Sequence, residues 1–207
     1  SVNVSIRDSV IHFGDLSRSI SGDAQNLAVF LSPTDTKTAE GETRYKFDLT
    51  STDSNFVYEA KIVEKIDIRA VGIADDKGAE IGKLEIRTPL GETSMSGTLS
   101  DWAAPKYELD ITSMVDLTQA SLTFATGTAL RGVGNFKGHV SGQGESYRIE
   151  GSADSEAFRA DGVYLKAVNV AATVEGTNNN YTANGTAIAE MLTFDVFRVD
   201  FLRLNGN

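Results

Sequence analysis

Apolar and polar residues alternate along most of the chain, which is the pattern of β-strands that bury one face. Examples are the runs YKFDL at 45–49, KIDIR at 65–69, YELDI at 107–111 and YRIEG at 147–151. Clusters of Gly, Asn, Asp, Ser and Pro separate these runs, and such clusters between period-two segments indicate β-hairpins. The sequence therefore predicts an all-β fold whose consecutive strands form an elongated antiparallel meander.

One hairpin signal recurs four times: an aliphatic residue, a turn of small or acidic residues, and an aromatic residue that restarts the alternation. It reads LTSTDSNF at 49–56, LSDWAAPKY at 99–107, VSGQGESY at 140–147 and VEGTNNNY at 174–181. The spacing is uneven, whereas propellers and solenoids repeat with a fixed period, so the recurring unit is a hairpin. Together with the tight turn DDKG at 75–78, these signals predict hairpin turns near residues 51–55, 75–78, 100–106, 142–146 and 177–180.

Three stretches depart from the regular alternation. Residues 32–43 are polar, contain Pro33 and Gly41, and predict a loop, which is also the one candidate boundary within a single segment covering 1–207. The alternation changes phase between Leu165 and Val168, as at a β-bulge, which would add curvature. The run TAIAEML has helical propensity but offers under two turns and follows an alternating strand, so no substantial helix is expected anywhere.

The apolar face of the predicted strands combines large side chains with glycine. In the run FKGHVSG, Phe136 and Val140 alternate with Gly138 and Gly142, and TSMSGTL and YRIEGSADS follow the same pattern. A glycine inside a strand marks a bend or the close approach of another group. This face, opposite one rich in Lys, Glu, Arg and Asp, predicts a sheet curled into a half-pipe with an apolar inner groove. The alternative is a β-sandwich or a closed barrel whose glycines only ease the twist.

One set of large apolar residues is predicted to face a common groove that can hold acyl chains. Side chains two positions apart share a face of a strand, and hairpin pairing aligns that face across the sheet. The predicted groove-lining residues are Met95, Leu99, Phe136, Val140, Tyr147, Ile149, Val168 and Val170. Small residues beside them are expected to leave the volume that a bound guest would fill, namely Gly97, Gly138, Gly142 and Gly151.

The composition narrows the classes of partner. With 29 acidic and 19 basic residues the formal net charge is −10, which repels phosphate backbones and disfavours nucleic acid as a partner. Cysteine is absent, so disulfides and thiolate metal sites are excluded. No apolar run approaches the roughly 18 residues of a membrane-spanning helix. The chain starts without Met and already in a strand pattern, and we interpret it as an internal piece of a longer polypeptide.

Catalytic chemistry finds little support in the sequence. His12 and His139 lie far apart without the spacing of a metal site, and no phosphate loop or nucleophile elbow is present. The carboxylate pairs Asp75 with Asp76 and Glu150 with Asp154 lie where solvated turns or strand faces would place them. The single tryptophan, Trp102, is expected to cover one end of the core rather than to stack on a sugar. We therefore predict no catalytic residue, no metal, no cofactor and no enzymatic activity.

The hairpin phrases, from PLGETSMSGTLSDWAAPKYELDITSMVDL through ALRGVGNFKGHVSGQGESYRIEGSADS to GVYLKAVNVAATVEG, resemble the TamB and AsmA-like family of repeating β-groove proteins. The opening VNVSIRDSVIHFGD is similar to that family's short strand pairs. The likeness is a strand pattern over most of residues 44–204, and none of its phrases is a catalytic motif.

The resemblance implies a function in the Gram-negative cell envelope. Members of the family are long curled sheets anchored to the inner membrane that reach across the periplasm, where they carry phospholipid between membranes. TamB, part of a translocation and assembly module, is also linked to outer-membrane protein assembly. The expected partners are a phospholipid or other acyl-chain lipid and, through parts of the protein outside this sequence, an outer-membrane β-barrel. The expected location is periplasmic.

Two other classes of function remain open at this stage. A surface adhesin or structural β-domain would have a closed apolar core and functional loops. A glycan-active enzyme or binding module would present aromatic side chains on an open face. The glycine-interrupted apolar face favours lipid transport over both.

Overall fold

The computed structural model describes residues 2–15, 19–125, 127–178 and 180–206. It divides into two compact units, Ser1–Leu109 and Asp110–Asn207. The division falls inside a strand, and residues 32–43 lie within the first unit.

The first unit is built from consecutive strands. Each strand is hydrogen-bonded to the next, and β1 to β6 pair antiparallel throughout. The strands are β1 Val4–Asp15, β2 Ile20–Lys37, β3 Thr43–Tyr58, β4 Lys61–Ala74, β5 Gly78–Thr88, β6 Gly91–Ser100 and β7 Lys106–Asp116, the last of which ends in the second unit.

The second unit continues after β7 with one helix and six strands. Strands β9 to β13 pair antiparallel in chain order, and the short β8 pairs with the far end of β10. The elements are α1 Leu117–Phe124, β8 Leu130–Arg131, β9 Val133–Gln143, β10 Ser146–Ala160, β11 Val163–Thr177, β12 Asn180–Phe194 and β13 Phe197–Gly206.

The prediction of an all-β antiparallel meander is confirmed. The sheet is open, because in the described part of the chain β1 is hydrogen-bonded only to β2 and β13 only to β12. The extensive backbone contacts of each described strand are with its neighbours in the sheet. Neither unit therefore buries its sheet under a second sheet, as a β-sandwich would.

Few apolar side chains are buried in this architecture. Among the described residues only Leu27, Val63, Ile66 and Ala189 are both apolar and buried. The accessible surface is 13275 Å², whereas a compact monomer of this mass exposes about 9,400 Å². Most apolar side chains consequently remain at least partly exposed.

Four of the five predicted hairpin turns are confirmed. Turns separate β4 from β5, β6 from β7, β9 from β10 and β11 from β12, as the sequence predicts for 75–78, 100–106, 142–146 and 177–180. Of the last turn, residue 179 lies outside the described residues. The run TAIAEML lies within β12 and is a strand.

The predicted turn at 51–55 is wrong, because β3 runs through it. Asp53 adopts a left-handed backbone with φ of 54°, and the pairing with β4 shifts on both sides of Ser54. The segment is therefore a bulge inside a strand. The chain reverses instead at Glu59 and Ala60, both left-handed as a type I′ turn requires. Neither residue type is typical of that turn, so the sequence carries no signal for it.

Two further expectations need correction. Residues 32–37 continue β2 rather than forming a loop, and Pro33 is the strand partner of Tyr45. Their polarity reflects an exposed strand end and not a lack of structure. The sequence analysis also missed α1, an eight-residue helix capped by Asp116, whose carboxylate accepts hydrogen bonds from the backbone of Thr118 and Gln119.

A row of left-handed residues crosses four neighbouring strands of the first unit. Its members, which together we call the crease, are Asp8, Asn26, Asp53 and Lys65. Each of them shifts the alternation of its strand by one position, so the shifts stay in step across the sheet. The most deeply buried side chains lie beside this row, among them Leu27, Ser51, Ser54 and Ile66.

Side chains replace the interrupted strand hydrogen bonds at the crease. The Ser51 hydroxyl donates to the Gln25 carbonyl oxygen at 2.7 Å, and the Ser54 hydroxyl accepts from the Gln25 amide at 3.0 Å. The two hydroxyls are 2.7 Å apart. Asn26 donates to the Thr52 carbonyl oxygen at 3.3 Å. The polar residues that resemble a turn in the sequence thus satisfy the backbone of a bulge.

Candidate functional site

Strand register places the apolar residues of the first unit in rows that cross the sheet. Directly paired residues lie side by side on the same face. One row crosses six strands and consists of Ile6, Val29, Leu49, Ala70, Leu84 and Met95. The adjacent rows are Val4, Leu31, Phe47, Gly72, Ile81 and Gly97, and then Pro33, Tyr45, Ala74, Ala79 and Leu99. These rows form the first apolar face, and the predicted residues Met95 and Leu99 belong to it.

The second unit has a corresponding surface, the second apolar face. Its rows are Val140, Ile149, Val174 and Ala183, then Gly138, Gly151, Ala172, Gly185 and Gly206, and then Phe136, Ala153, Val170, Ala187 and Leu204. Val168 is paired with Ser155, one step further along the same strands, and Tyr147 with Gly142 and Gly176. All six predicted residues of the second unit therefore share one face, and all six are half-buried.

The predicted change of phase between Leu165 and Val168 is present. Ala167 has a left-handed backbone with φ of 50°. The pairing of β10 with β11 nevertheless continues without a net shift, from Ser155 with Val168 to Ala157 with Lys166. The alternation changes because one residue is left-handed.

Three of the four glycines expected to leave empty volume, Gly97, Gly138 and Gly151, do not leave it where a side chain would stand. A Cβ atom added to Gly138 would lie 2.7 Å from the Cζ atom of Phe136, and one added to Gly151 would lie 3.0 Å from the same ring. The Phe136 ring therefore lies over both glycines. Gly97 is packed against the backbone of β7. At these glycines the space is filled by the protein itself.

The same aromatic-on-glycine contact recurs in both units. A Cβ atom at Gly22 would be 2.6 Å from Phe13, and one at Gly72 would be 2.7 Å from Phe47. A third pair joins Tyr147 to Gly176, and in all three pairs the aromatic residue is the direct strand partner of the glycine. Each ring occupies the place that a side chain at the glycine would take, so the ring forms the surface there.

The first unit contains a partly open apolar cavity of about 330 Å³, which the sequence did not indicate. Its wall includes Phe13 of β1, Ile86 of β5 and Leu90 of the next turn. In a flat sheet β1 and β5 lie about 19 Å apart, at roughly 4.8 Å per strand. Residues of both strands line one small cavity, so the sheet of the first unit is curled. The sequence does not reveal this cavity, because the left-handed Lys65 shifts the alternation of its strand. Val63 and Ile66, which are three positions apart, therefore line the cavity from the same face.

The opposite surface of the sheet carries ion pairs both between neighbouring strands and along single strands. Arg148 contacts both Glu175 and Glu150, and the ammonium group of Lys166 lies 3.2 Å from Glu190. In the first unit, the hydrogen bond from Lys83 lowers the pKa of Glu85. We call these surfaces the charged faces. All of these groups are accessible to solvent, so the pairs contribute little stability individually.

Each histidine lies beside a carboxylate on a neighbouring strand. The Nδ1 atom of His12 is 2.5 Å from Asp23, and that of His139 is 2.9 Å from Asp110. The hydrogen bond with His12, followed by the one from Asn55, lowers the pKa of Asp23. The side chain of His12 is 78% exposed, so this pair lies open to water.

The lowered pKa of Asp23 predicts a pH dependence of stability. A carboxylate whose pKa is lower when folded stabilises the protein above its unfolded pKa, and this contribution is lost as the pH falls through the folded pKa. We expect His12→Ala to reduce the loss of stability in acid, as measured by urea unfolding over a pH series. An unchanged pH dependence in this variant would contradict the assignment.

The carboxylate pairs weighed from the sequence have structural roles. Asp75 accepts hydrogen bonds from the backbone amides of Lys77 and Gly78 and so caps the β4–β5 turn. Glu150 contacts Arg148, and Asp154 accepts from Asn135 at 2.9 Å. Over the described ranges, no group of three or more His, Asp or Glu residues is arranged to hold a metal ion.

Trp102 joins two turns of the first unit. Its indole nitrogen donates to the carbonyl oxygen of Asp75 at 3.1 Å. The side chain is about half-exposed. The ring thus ties the β6–β7 turn to the β4–β5 turn.

No helix in the described part of the chain is long and apolar enough to span a membrane. Comparison of the chain with protein families, with curated proteins and with solved structures found no match. The two apolar faces and the residues that form them are therefore the features of the molecule that bear on its function.

Proposed function

We propose that this chain is a non-enzymatic carrier of phospholipid between membranes, and that its two apolar faces hold the acyl chains. The observation that supports this proposal best is the set of apolar rows that cross consecutive strands without a covering layer. In the first unit one row crosses six strands, from Ile6 to Met95. An apolar surface of this extent needs an apolar partner in water.

The energetics favour a lipid as that partner. Exposing an acyl chain to water costs about 0.8 kcal/mol per methylene group. A surface of aliphatic and aromatic side chains lowers this cost. It requires neither a chemical reaction nor a tight binding pocket. The aromatic rings over Gly138, Gly151 and Gly176 add apolar surface that an acyl chain can slide along. The charged faces keep the other side of the sheet hydrated.

The alternative of an adhesin or structural β-domain fits this geometry less well. Such a domain relies on a closed apolar core, and only four apolar side chains are buried among the described residues. The resemblance to TamB and AsmA-like proteins supports a carrier that works in the periplasm as part of an inner-membrane-anchored protein. A role in outer-membrane protein assembly through a β-barrel partner belongs to the same proposal.

A charge on the second apolar face is expected to remove bound phospholipid. In Val140→Asp the new carboxylate would have to lose water beside an acyl chain, which costs several kcal/mol. We expect native mass spectrometry, after incubation with phosphatidylethanolamine vesicles, to detect about tenfold less bound lipid than on the unmodified chain.

Ser141→Asp is the matched control for this experiment. Ser141 is the next residue on β9 and is paired with Arg148 on the charged face, so the variant adds the same charge on the opposite side. We expect its lipid occupancy to equal that of the unmodified chain. Equal loss in both variants, or no loss in Val140→Asp, would contradict the proposal.

A further inference from the structure

A cavity of about 390 Å³ lies at the turn between β10 and β11, and two arginines line it. Arg131 of β8 and Arg159 of β10 are direct strand partners. Two like charges in directly opposed positions repel each other and destabilise a sheet. An anion in direct contact with both arginines would offset this repulsion.

The protein supplies no carboxylate contact to these two arginines within its described ranges. Neither forms an ion pair there, although Arg44, Arg148 and Arg198 all contact acidic side chains. What distinguishes Arg131 and Arg159 from the other arginines of the described ranges is that they are direct strand partners of each other. An anion from solution can therefore offset the repulsion between the two guanidinium groups.

Arg159 is held in place by an aromatic ring. Its guanidinium carbon lies 5.1 Å from the centre of the Tyr164 ring, and Tyr164 is the strand partner of Arg159. This cation–π contact restrains the side chain while leaving its N–H donors free to bind. A restrained guanidinium loses less conformational entropy when it binds an anion.

We propose that this cavity binds a phosphate group between Arg131 and Arg159. A guanidinium presents a planar pair of donors that matches two oxygens of a phosphate, and two guanidinium groups can neutralise its charge. The cavity is small and lies at a hairpin turn, which suits one phosphate group and not a nucleic-acid backbone. Asp161 also lines it, so its carboxylate weakens binding by repulsion.

Two sources could supply this phosphate: free phosphate in solution or the headgroup of a lipid. Ala160 and Val163 line the same cavity and are strand partners in line with Phe194 and Phe197. The cavity therefore also reaches an apolar row of the second unit. The phosphate site does not rest on the proposed function, because two arginines can bind phosphate whether or not the apolar faces hold acyl chains.

The test measures binding of inorganic phosphate to the full chain by calorimetry at constant ionic strength. We expect saturable binding that weakens about tenfold in Arg131→Gln and in Arg159→Gln, because each variant loses charge-assisted hydrogen bonds. Asp161→Asn is expected to bind more tightly. Arg203→Gln is the matched control, since Arg203 is an exposed arginine of β13 outside the cavity. Its affinity should not change.

Vesicles distinguish the two sources of phosphate. Co-flotation is compared for phosphatidylcholine vesicles and for vesicles of equal parts phosphatidylcholine and phosphatidic acid. A preference for phosphatidic acid that depends on both cavity arginines assigns the site to a lipid headgroup. Saturable phosphate binding without this preference assigns it to free phosphate.

Two results would overturn the phosphate site. One is the absence of both phosphate binding and an arginine-dependent preference for phosphatidic acid. The other is an equal loss in Arg203→Gln, which would indicate a general effect of charge. The Val140→Asp variant keeps the two proposals separate, because it should lose acyl-chain binding and retain inorganic phosphate binding.

Discussion

Replacing Gly97 with alanine is expected to lower the free energy of unfolding by more than about 2 kcal/mol. Gly97 lies in β6 with φ of 145°, a conformation that residues with a side chain rarely adopt. An added Cβ atom would collide with the carbonyl oxygen of Glu108 and lie 2.9 Å from the Cα atom of Leu109. Both contacts are with backbone atoms, so they cannot be relieved by moving a flexible side chain.

Gly206→Ala is the control for this variant. Nothing lies within 4 Å of a Cβ atom added at Gly206, so its free energy of unfolding should change by less than about 0.5 kcal/mol. Urea unfolding followed by circular dichroism measures both variants. If Gly97→Ala were as stable as Gly206→Ala, the close approach of β6 and β7 described here would be incorrect.

Replacing Ser54 with alanine is expected to destabilise the first unit by about 1–3 kcal/mol. The Ser54 hydroxyl accepts a hydrogen bond from the Gln25 amide and contacts the Ser51 hydroxyl. Ser54 is only 3% exposed, so water cannot easily replace the lost acceptor. The variant would leave a backbone donor unsatisfied at the crease, where the strand hydrogen bonds are already interrupted.

Ser152→Ala provides the comparison for the crease. Ser152 is an exposed serine of β10, and its loss should leave the free energy of unfolding nearly unchanged. Urea unfolding midpoints report the difference between the two variants. A Ser54→Ala protein as stable as Ser152→Ala would show that the hydroxyl does not support the bulge.

The strand pattern could be predicted because alternation depends only on which residues meet the apolar side of the sheet. Three of the four recurring phrases are hairpins for the reasons that the sequence suggests. The fourth, at 49–56, is a bulge, because Ser51 and Ser54 satisfy interrupted backbone hydrogen bonds just as such residues do in turns. Local sequence does not distinguish a serine that supports a turn from one that supports a bulge, because the backbone groups bound at the bulge belong to a neighbouring strand.

The candidate site was predicted in outline and not in detail. The shared faces of the predicted groove residues follow from strand alternation, and the structure places Met95 and Leu99 in one unit and the other six in the second. The filling of glycine sites could not be predicted, because Phe13 and Gly22 become neighbours only through the pairing of two strands. The cavity of the first unit was hidden by the phase shift at Lys65.

Site-specific photo-crosslinking tests the central claim most directly. A photoreactive residue is placed at position 140 or 149 on the second apolar face and, for comparison, at position 148 on the charged face. The account predicts phospholipid adducts at 140 and 149 and few at 148. Equal adducts at all three positions, or adducts only at 148, would contradict it.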